Sequence, residues 1–135
     1  MQLNRSTDYA IQMLVYLVKA GKTVSSSKLA AAIDVSHRYL LQISAKLRAA
    51  EFIRAAHGPS GGLALDKAPE EISLYDVILG MEGIIKTGEI CGVPSDEVSK
   101  EMLMLKNEYR KVDCMLERVL KEITLARILE ADLYL

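Results

Sequence analysis

Only two cysteines, Cys91 and Cys114, occur in the 135 residues. That is too few for a disulfide framework and suits a reducing compartment. No apolar run approaches the ~18 residues a membrane span requires, so no membrane association is expected. The opening residues Met1-Gln2-Leu3-Asn4-Arg5-Ser6-Thr7-Asp8 lack the positive stretch followed by an apolar one that marks a secretory signal. A cytoplasmic location is the resulting expectation. Catalytic constellations are missing too. The two histidines, His37 and His57, have no Cys or Asp at metal-ligand or triad spacing. Gly58-Pro59-Ser60-Gly61-Gly62 lacks the helix and lysine of a phosphate-binding loop. The acid pairs Glu70-Glu71 and Asp96-Glu97 flank loops and helix starts, where they favour the helix dipole. Neither an enzyme nor a metal site is expected.

What the chain does contain is the balance of an ordinary globular domain, 50% hydrophobic and 26% charged. A chain of this length buries enough surface to need no disulfide or metal staple. The net charge of −1 conceals an asymmetry. Residues 1–67 carry nine Lys/Arg against four Asp/Glu, a net of +5; residues 68–135 carry eight against fourteen, a net of −6. A basic half beside an acidic one suggests one surface for a polyanion and a body with another task.

The order of elements gives this asymmetry a meaning. Ser6-Thr7-Asp8 offers caps for a first helix, whose apolar positions Tyr9, Ala10, Met13, Leu14, Leu17 and Val18 run to Gly21. Ser25-Ser26-Ser27 caps a short second helix with Leu29, Ala30 and Ile33 on one face. After the turn Asp34-Val35-Ser36, a third helix spans 37–49 with Leu40, Ile43 and Leu47 inward. Helix, three-residue turn, helix is the spacing of a helix-turn-helix. Phe52–His57 and Gly62–Leu65 then read as strands around a dense turn signal. Directly after a helix-turn-helix such a hairpin is a wing, the alternative being an ordinary hairpin packed on a helical domain. Ser73 caps a fourth helix over 74–82, with Leu74, Val77, Ile78 and Met81 inward, and a glycine-bearing loop follows.

From there the pattern changes. Val98, Met102, Leu105, Tyr109, Val112, Leu116, Val119 and Ile123 are spaced alternately four and three apart, a heptad seam. A helix this long is expected to pair with the same helix of a second copy, the alternative being an intramolecular bundle. Thr124 caps a last helix bearing Leu125, Ile128, Leu129 and Leu133, expected to cover the first helix of its own or the partner subunit. The fold class is therefore mainly α with a small β-hairpin: a winged helix-turn-helix over 1–82 (wing 52–66), a loop over 83–97, and dimerisation helices over 98–135.

The third helix presents His37, Arg38, Tyr39, Gln42, Lys46 and, at its edge, Arg48, with no acid along its length. Arg suits guanine edges, Gln adenine, and Lys and Tyr phosphate. A merely solvated face usually mixes both signs. Arg54, His57 and the amides of Gly58, Gly61 and Gly62 are expected near the adjacent minor groove. Cys91 lies in the glycine-bearing loop, where an inert thiol, a thiol sensor and a metal or cluster ligand are all open readings. Cys114 falls off the seam, which disfavours a disulfide between two copies.

Thr7-Asp8-Tyr9-Ala10, Ser36-His37-Arg38-Tyr39-Leu40, Lys46-Leu47-Arg48, the run His57 to Leu65, and Ile72-Ser73-Leu74-Tyr75-Asp76-Val77-Ile78 together resemble the Rrf2 family of bacterial transcription regulators. These are the iron–sulfur-cluster, nitric-oxide-sensing and cysteine-metabolism repressor types, and the resemblance covers essentially the whole chain. It implies a winged-helix homodimer on double-stranded DNA with a dyad operator. By position, Ser36, Arg38, Tyr39, Gln42 and Lys46 would be recognition-helix contacts, and His57, Gly58, Ser60, Gly61 and Gly62 wing contacts. Many members hold an iron–sulfur cluster on three cysteines about six apart; here Cys91 occupies the first place, but Glu97 and Leu103 the next two. No cofactor is therefore expected. His57 stands where the wing commonly begins with Arg, and Glu51 replaces the usual glycine before it. The neutral imidazole gives up a fixed charge in the groove, so weaker and pH-sensitive binding is expected there.

The expected function is a sequence-specific, homodimeric DNA-binding regulator, a repressor, answering to a small-molecule or protein effector. Two rivals stand beside it. One is a protein-interaction module that binds a metabolic enzyme or polymerase through the acidic half. The other is a thiol-redox sensor acting through Cys91.

Overall fold

The computed structural model describes residues 2–83 and 99–130. Its elements run α1 (Arg5–Ala20), α2 (Ser26–Ala32), α3 (His37–Ala49), β1 (Ile53–Ala56), β2 (Gly62–Leu65), a 3-10 turn (Pro69–Glu71), α4 (Leu74–Glu82), α5 (Lys100–Glu122) and α6 (Leu125–Glu130). The fold is mainly helical with one antiparallel hairpin, as the sequence predicts. The expected loop over 83–97 lies, apart from Gly83, outside the described residues, as do Cys91, Val98 and Leu133.

Local chemistry sets most boundaries. The side chains of Ser25, Ser36 and Ser73 accept the amides of Lys28, Tyr39 and Asp76, so each satisfies one orphan donor at a helix start. Asp76 answers by accepting the Ser73 amide, which completes a capping box. α1 differs from expectation. Its N-cap is Asn4, and Ser6, Thr7 and Asp8 lie within the helix. No cap bond comes from the Asn4 side chain; instead the Glu82 carboxylate, at the end of α4, accepts the Asn4 amide and the buried Thr7 hydroxyl. A distant acid thereby does the work expected of a local cap. At its other end α1 stops at Gly21, in the left-handed conformation at φ 63°.

α1 is the central element. Its buried face of Ala10, Met13, Leu14 and Leu17 meets Leu29 of α2, Leu40 and Leu47 of α3, Leu63 of the hairpin, Val77 of α4 and Leu125 of α6 in one core. β1 and β2 pair from Ile53↔Leu65 to Ala56↔Gly62. A third backbone segment joins them, because Val24 exchanges both hydrogen bonds with Leu63 (2.9 and 2.8 Å). The wing is thus stitched to the linker between α1 and α2.

α5 leaves this body. Leu120 is its one buried residue, Leu116 and Glu117 are half-buried, and residues 101–108 are exposed throughout. The helix ends before Ile123, which the heptad reading places in the seam. Ile123 is extended, and its carbonyl accepts the Leu74 amide while Leu125 donates to Ile72 (2.8 and 2.9 Å). These bonds pull the chain out of helical geometry one residue early. Thr124 then caps α6 by accepting the Arg127 amide, and α6 packs on α1 of its own chain.

Between α3 and β1, Glu51 adopts φ 63°. A β-carbon in that region costs about 1–2 kcal/mol, which glycine avoids at a smaller entropic cost. Glu51→Gly is therefore expected to stabilise the fold by about 0.5–1 kcal/mol, raising the thermal midpoint by roughly 2–3 °C. A lowered midpoint in a calorimetric scan would show that Glu51 carries a compensating interaction.

Candidate nucleic-acid interface

α3 and the wing form the two walls of an open cleft of about 340 Å³. Leu41, Ser44 and Arg48 line it from α3, Ala55 to Gly58 and Gly61 to Leu63 from the wing, and Ser25 and Ser26 at the start of α2 complete it. α3 stands in this position because its opposite face, Leu40, Ile43 and Leu47, is locked in the core. The buried Ser44 needs no outside partner, since its hydroxyl donates to the Leu41 carbonyl at 2.9 Å.

The side chains expected to reach a ligand divide into three groups. Arg38, Gln42 and Lys46 are exposed on α3 and joined by Arg48; no acid lies among them. His37 and Tyr39 are partly committed within the protein. The Nε2 atom of His37 lies 2.7 Å from the Ser26 hydroxyl, a bond that links the starts of α2 and α3. Tyr39 is half-buried, with its ring edge-on to Tyr9 at 5.8 Å and 89°. Ser36 serves as the cap already described.

The wing glycines prove to be structural parts of the turn. Gly58 holds φ 100°, and the Gly61 amide donates to the Gly58 carbonyl at 3.0 Å. That amide is thereby occupied rather than free for a phosphate. At Gly62 a β-carbon would stand 2.1 Å from the Val24 carbonyl oxygen. Ser60 and His57 remain exposed at the tip. Arg54, expected beside His57, lines a different cleft of about 500 Å³ with Lys22 and Lys67. Alternation along β1 sends it to the face opposite Ala55. Its ion pair with Asp66, at 3.7 Å between two exposed side chains, contributes little.

Sequence reading passes over Leu41, which is exposed on the same face of α3. The signal was available, because Leu41 falls outside the buried Leu40–Ile43–Leu47 stripe.

Of the seam, Met102, Leu105, Val112 and Val119 are exposed, at 39, 42, 49 and 49%, while Tyr109 and Leu116 are half-buried. Met115 borders this apolar surface, while Met104 is exposed roughly 100° or more away round the helix. At the root of α5, Lys121 lies 2.6 Å from Glu117 and 4.8 Å from the centre of the Tyr75 ring. The Glu117 bond raises the Lys121 pKa, with Tyr75 and Asp76 adding to it against some desolvation. Cys114 is exposed and forms no disulfide among the described residues. Among the described residues no three His, Cys, Asp or Glu side chains group as metal ligands, and no helix is long and apolar enough to cross a membrane.

Comparison with known proteins gives this geometry a family. The chain is 29% identical over 132 residues to the HTH-type transcriptional regulator NsrR of Halalkalibacterium halodurans, covering 96% of this chain and 90% of that one. Its structure is similar to that of CymR, the global cysteine regulator of B. subtilis, with a TM-score of 0.81 at 24% identity over 98% and 99% of the two chains. It is also similar to IscR of T. potens, with a TM-score of 0.75 at 27% identity over 96% and 87%. The relatives are regulators of transcription rather than enzymes. Residues 3–131 match the Rrf2 family, described as iron-dependent transcriptional regulators, and the chain belongs to that family.

Proposed function

We propose that this protein is a homodimeric repressor that lays α3 in the major groove of a dyad operator and its wing tip in the flanking minor groove. One observation carries the reading: the exposed face of α3 bears Arg38, Gln42, Lys46 and Arg48 without an acid, directly beside a projecting hairpin. Arg38 and Gln42 would meet base edges, Lys46 and Ser60 phosphates, and His57 the minor groove. Ser36, His37 and Tyr39 would fix the angle at which α3 enters, and Gly58, Gly61 and Gly62 would shape the tip. Residues 1–82 would form the DNA-binding unit, with α6 completing its core. The exposed stripe from Met102 to Val119 would pair with the same stripe of a second copy, because a two-fold pair buries an apolar helix face that solvent disfavours.

The donor set argues against an iron–sulfur cluster of the usual kind. Such a cluster needs three or four protein ligands, predominantly thiolates, and the chain holds two cysteines in all. Regulation would therefore come from another effector, a small molecule or a protein.

Selection of bound duplexes from a random library by the reduced full chain tests the reading. A two-fold-symmetric motif is expected. On the best duplex, Arg38→Ala should cost about 1–3 kcal/mol and relax preference at one position. Lys46→Ala should weaken all sequences alike and lower the salt slope by about one. Unchanged affinity in both variants removes α3 from the interface. The net −6 of residues 68–135, together with exposed Met104 and Met115, favours a second reading, a protein-interaction module. Absence of any enriched motif would select that reading.

A further inference from the structure

α3 carries one apolar side chain that its packing does not use. Leu41 is 45% exposed, although both flanking core positions, Leu40 and Ile43, are buried. At about 100° per residue it falls on the outward face, with His37 and Arg38 one turn before it and Ala45 one turn after. It lines the cleft shared with the wing, beside Ser44 and Arg48. The Ser44 hydroxyl is turned to the Leu41 carbonyl, so it does not offer its proton outward there. At this point the face therefore offers an isobutyl group and the methyl of Ala45, framed by Arg38 and Arg48.

A duplex presents just one apolar group in its major groove, the C5 methyl of thymine. Leucine can neither donate nor accept a hydrogen bond. Against any other base edge it would strip water from polar atoms and return nothing. We propose that Leu41 is a specificity-determining residue that recognises one thymine per half-site through its methyl group. This assignment rests on the DNA-binding reading above. It adds to the polar contacts of Arg38 and Gln42 a base preference that they cannot supply.

Uracil scanning tests it, because replacing thymine by uracil deletes that methyl and leaves every hydrogen-bonding group in place. Each thymine of the selected duplex is replaced in turn, in one half-site and then in both. One position is expected to weaken wild-type binding about fourfold in a single half-site and about fifteenfold in both. Leu41→Ala keeps a strong helix former at an exposed site and so preserves the fold. It should bind the thymine duplex as weakly as the wild type binds the uracil duplex, and be indifferent to the replacement. Leu41→Met should retain the discrimination. If no thymine is sensitive to uracil, or if Leu41→Ala keeps the sensitivity, the assignment is overturned while DNA binding stands. If the wild type enriches no duplex at all, the DNA-binding reading falls and takes this assignment with it.

Discussion

A chain carrying Leu105→Glu and Val112→Glu is expected to sediment as a monomer, keep its helical circular dichroism, and bind the selected duplex on the order of a hundredfold more weakly. Both residues lie on the exposed stripe of α5, at 42 and 49%, and neither belongs to the core around α1. Their replacement therefore leaves the fold intact. In a paired helix the two carboxylates of each copy would face their counterparts across an apolar seam. Desolvation and like-charge repulsion there exceed what one helix contact can offset. The loss at the operator follows from linkage. Two joined half-site readers raise each other's effective concentration, and separating them forfeits a factor of about 10²–10⁴ without touching a DNA contact. Persistence of a dimer in analytical ultracentrifugation would move the interface elsewhere.

Gly62→Ala should lower stability by about 3 kcal/mol in denaturant titration. The residue combines a φ of 151° with a β-carbon position 2.1 Å from the Val24 carbonyl oxygen and 2.8 Å from the Ser25 Cα. All the crowding atoms are backbone, so no rotamer change relieves the clash. To fit the methyl, the chain must open the two hydrogen bonds between Val24 and Leu63. Gly58→Ala is the control: it shares a positive φ, at 100°, but has no atom within 4 Å of the added carbon. Its cost should be the dihedral strain alone, about 1–2 kcal/mol. Equal losses at the two positions would mean that the Val24 bridge does not hold the wing.

Much of this architecture is written in short-range chemistry. Ser36 and Ser73 are the caps the sequence singles out for α3 and α4, and Ser25, the first of three candidate serines, is the one that caps α2. The errors arise where a distant partner decides. Three cap-type residues at 6–8 point to a later start for α1, yet Glu82, far along the chain, secures the start at Asn4. Periodicity carries the seam through Ile123, and only the backbone bonds to Ile72 and Leu74 take it out of the helix. On the candidate interface, Arg38, Gln42 and Lys46 are legible because polar residues opposite a core stripe must face outward. Leu41 escapes that rule because the rule selects polar residues only, although its angle, outside the Leu40–Ile43–Leu47 stripe, already places it outward. The separation of Arg54 from His57 depends on the pleat of β1, which composition does not encode.

α5 can finally be regarded as a beam built in at one end. Its attachment to the described body lies at the C-terminal turns, through Leu120, Lys121 and the backbone around Ile123. Its 23 residues extend roughly 34 Å. A tilt of about 5° at that root, too slight to break a hydrogen bond, would carry the far end through about 3 Å, close to the rise of one base step. In the proposed dimer, small repacking beneath Leu120 would be geared up along the beam, and control over the spacing of its two DNA readers would lie in the footing of α5 rather than in its length.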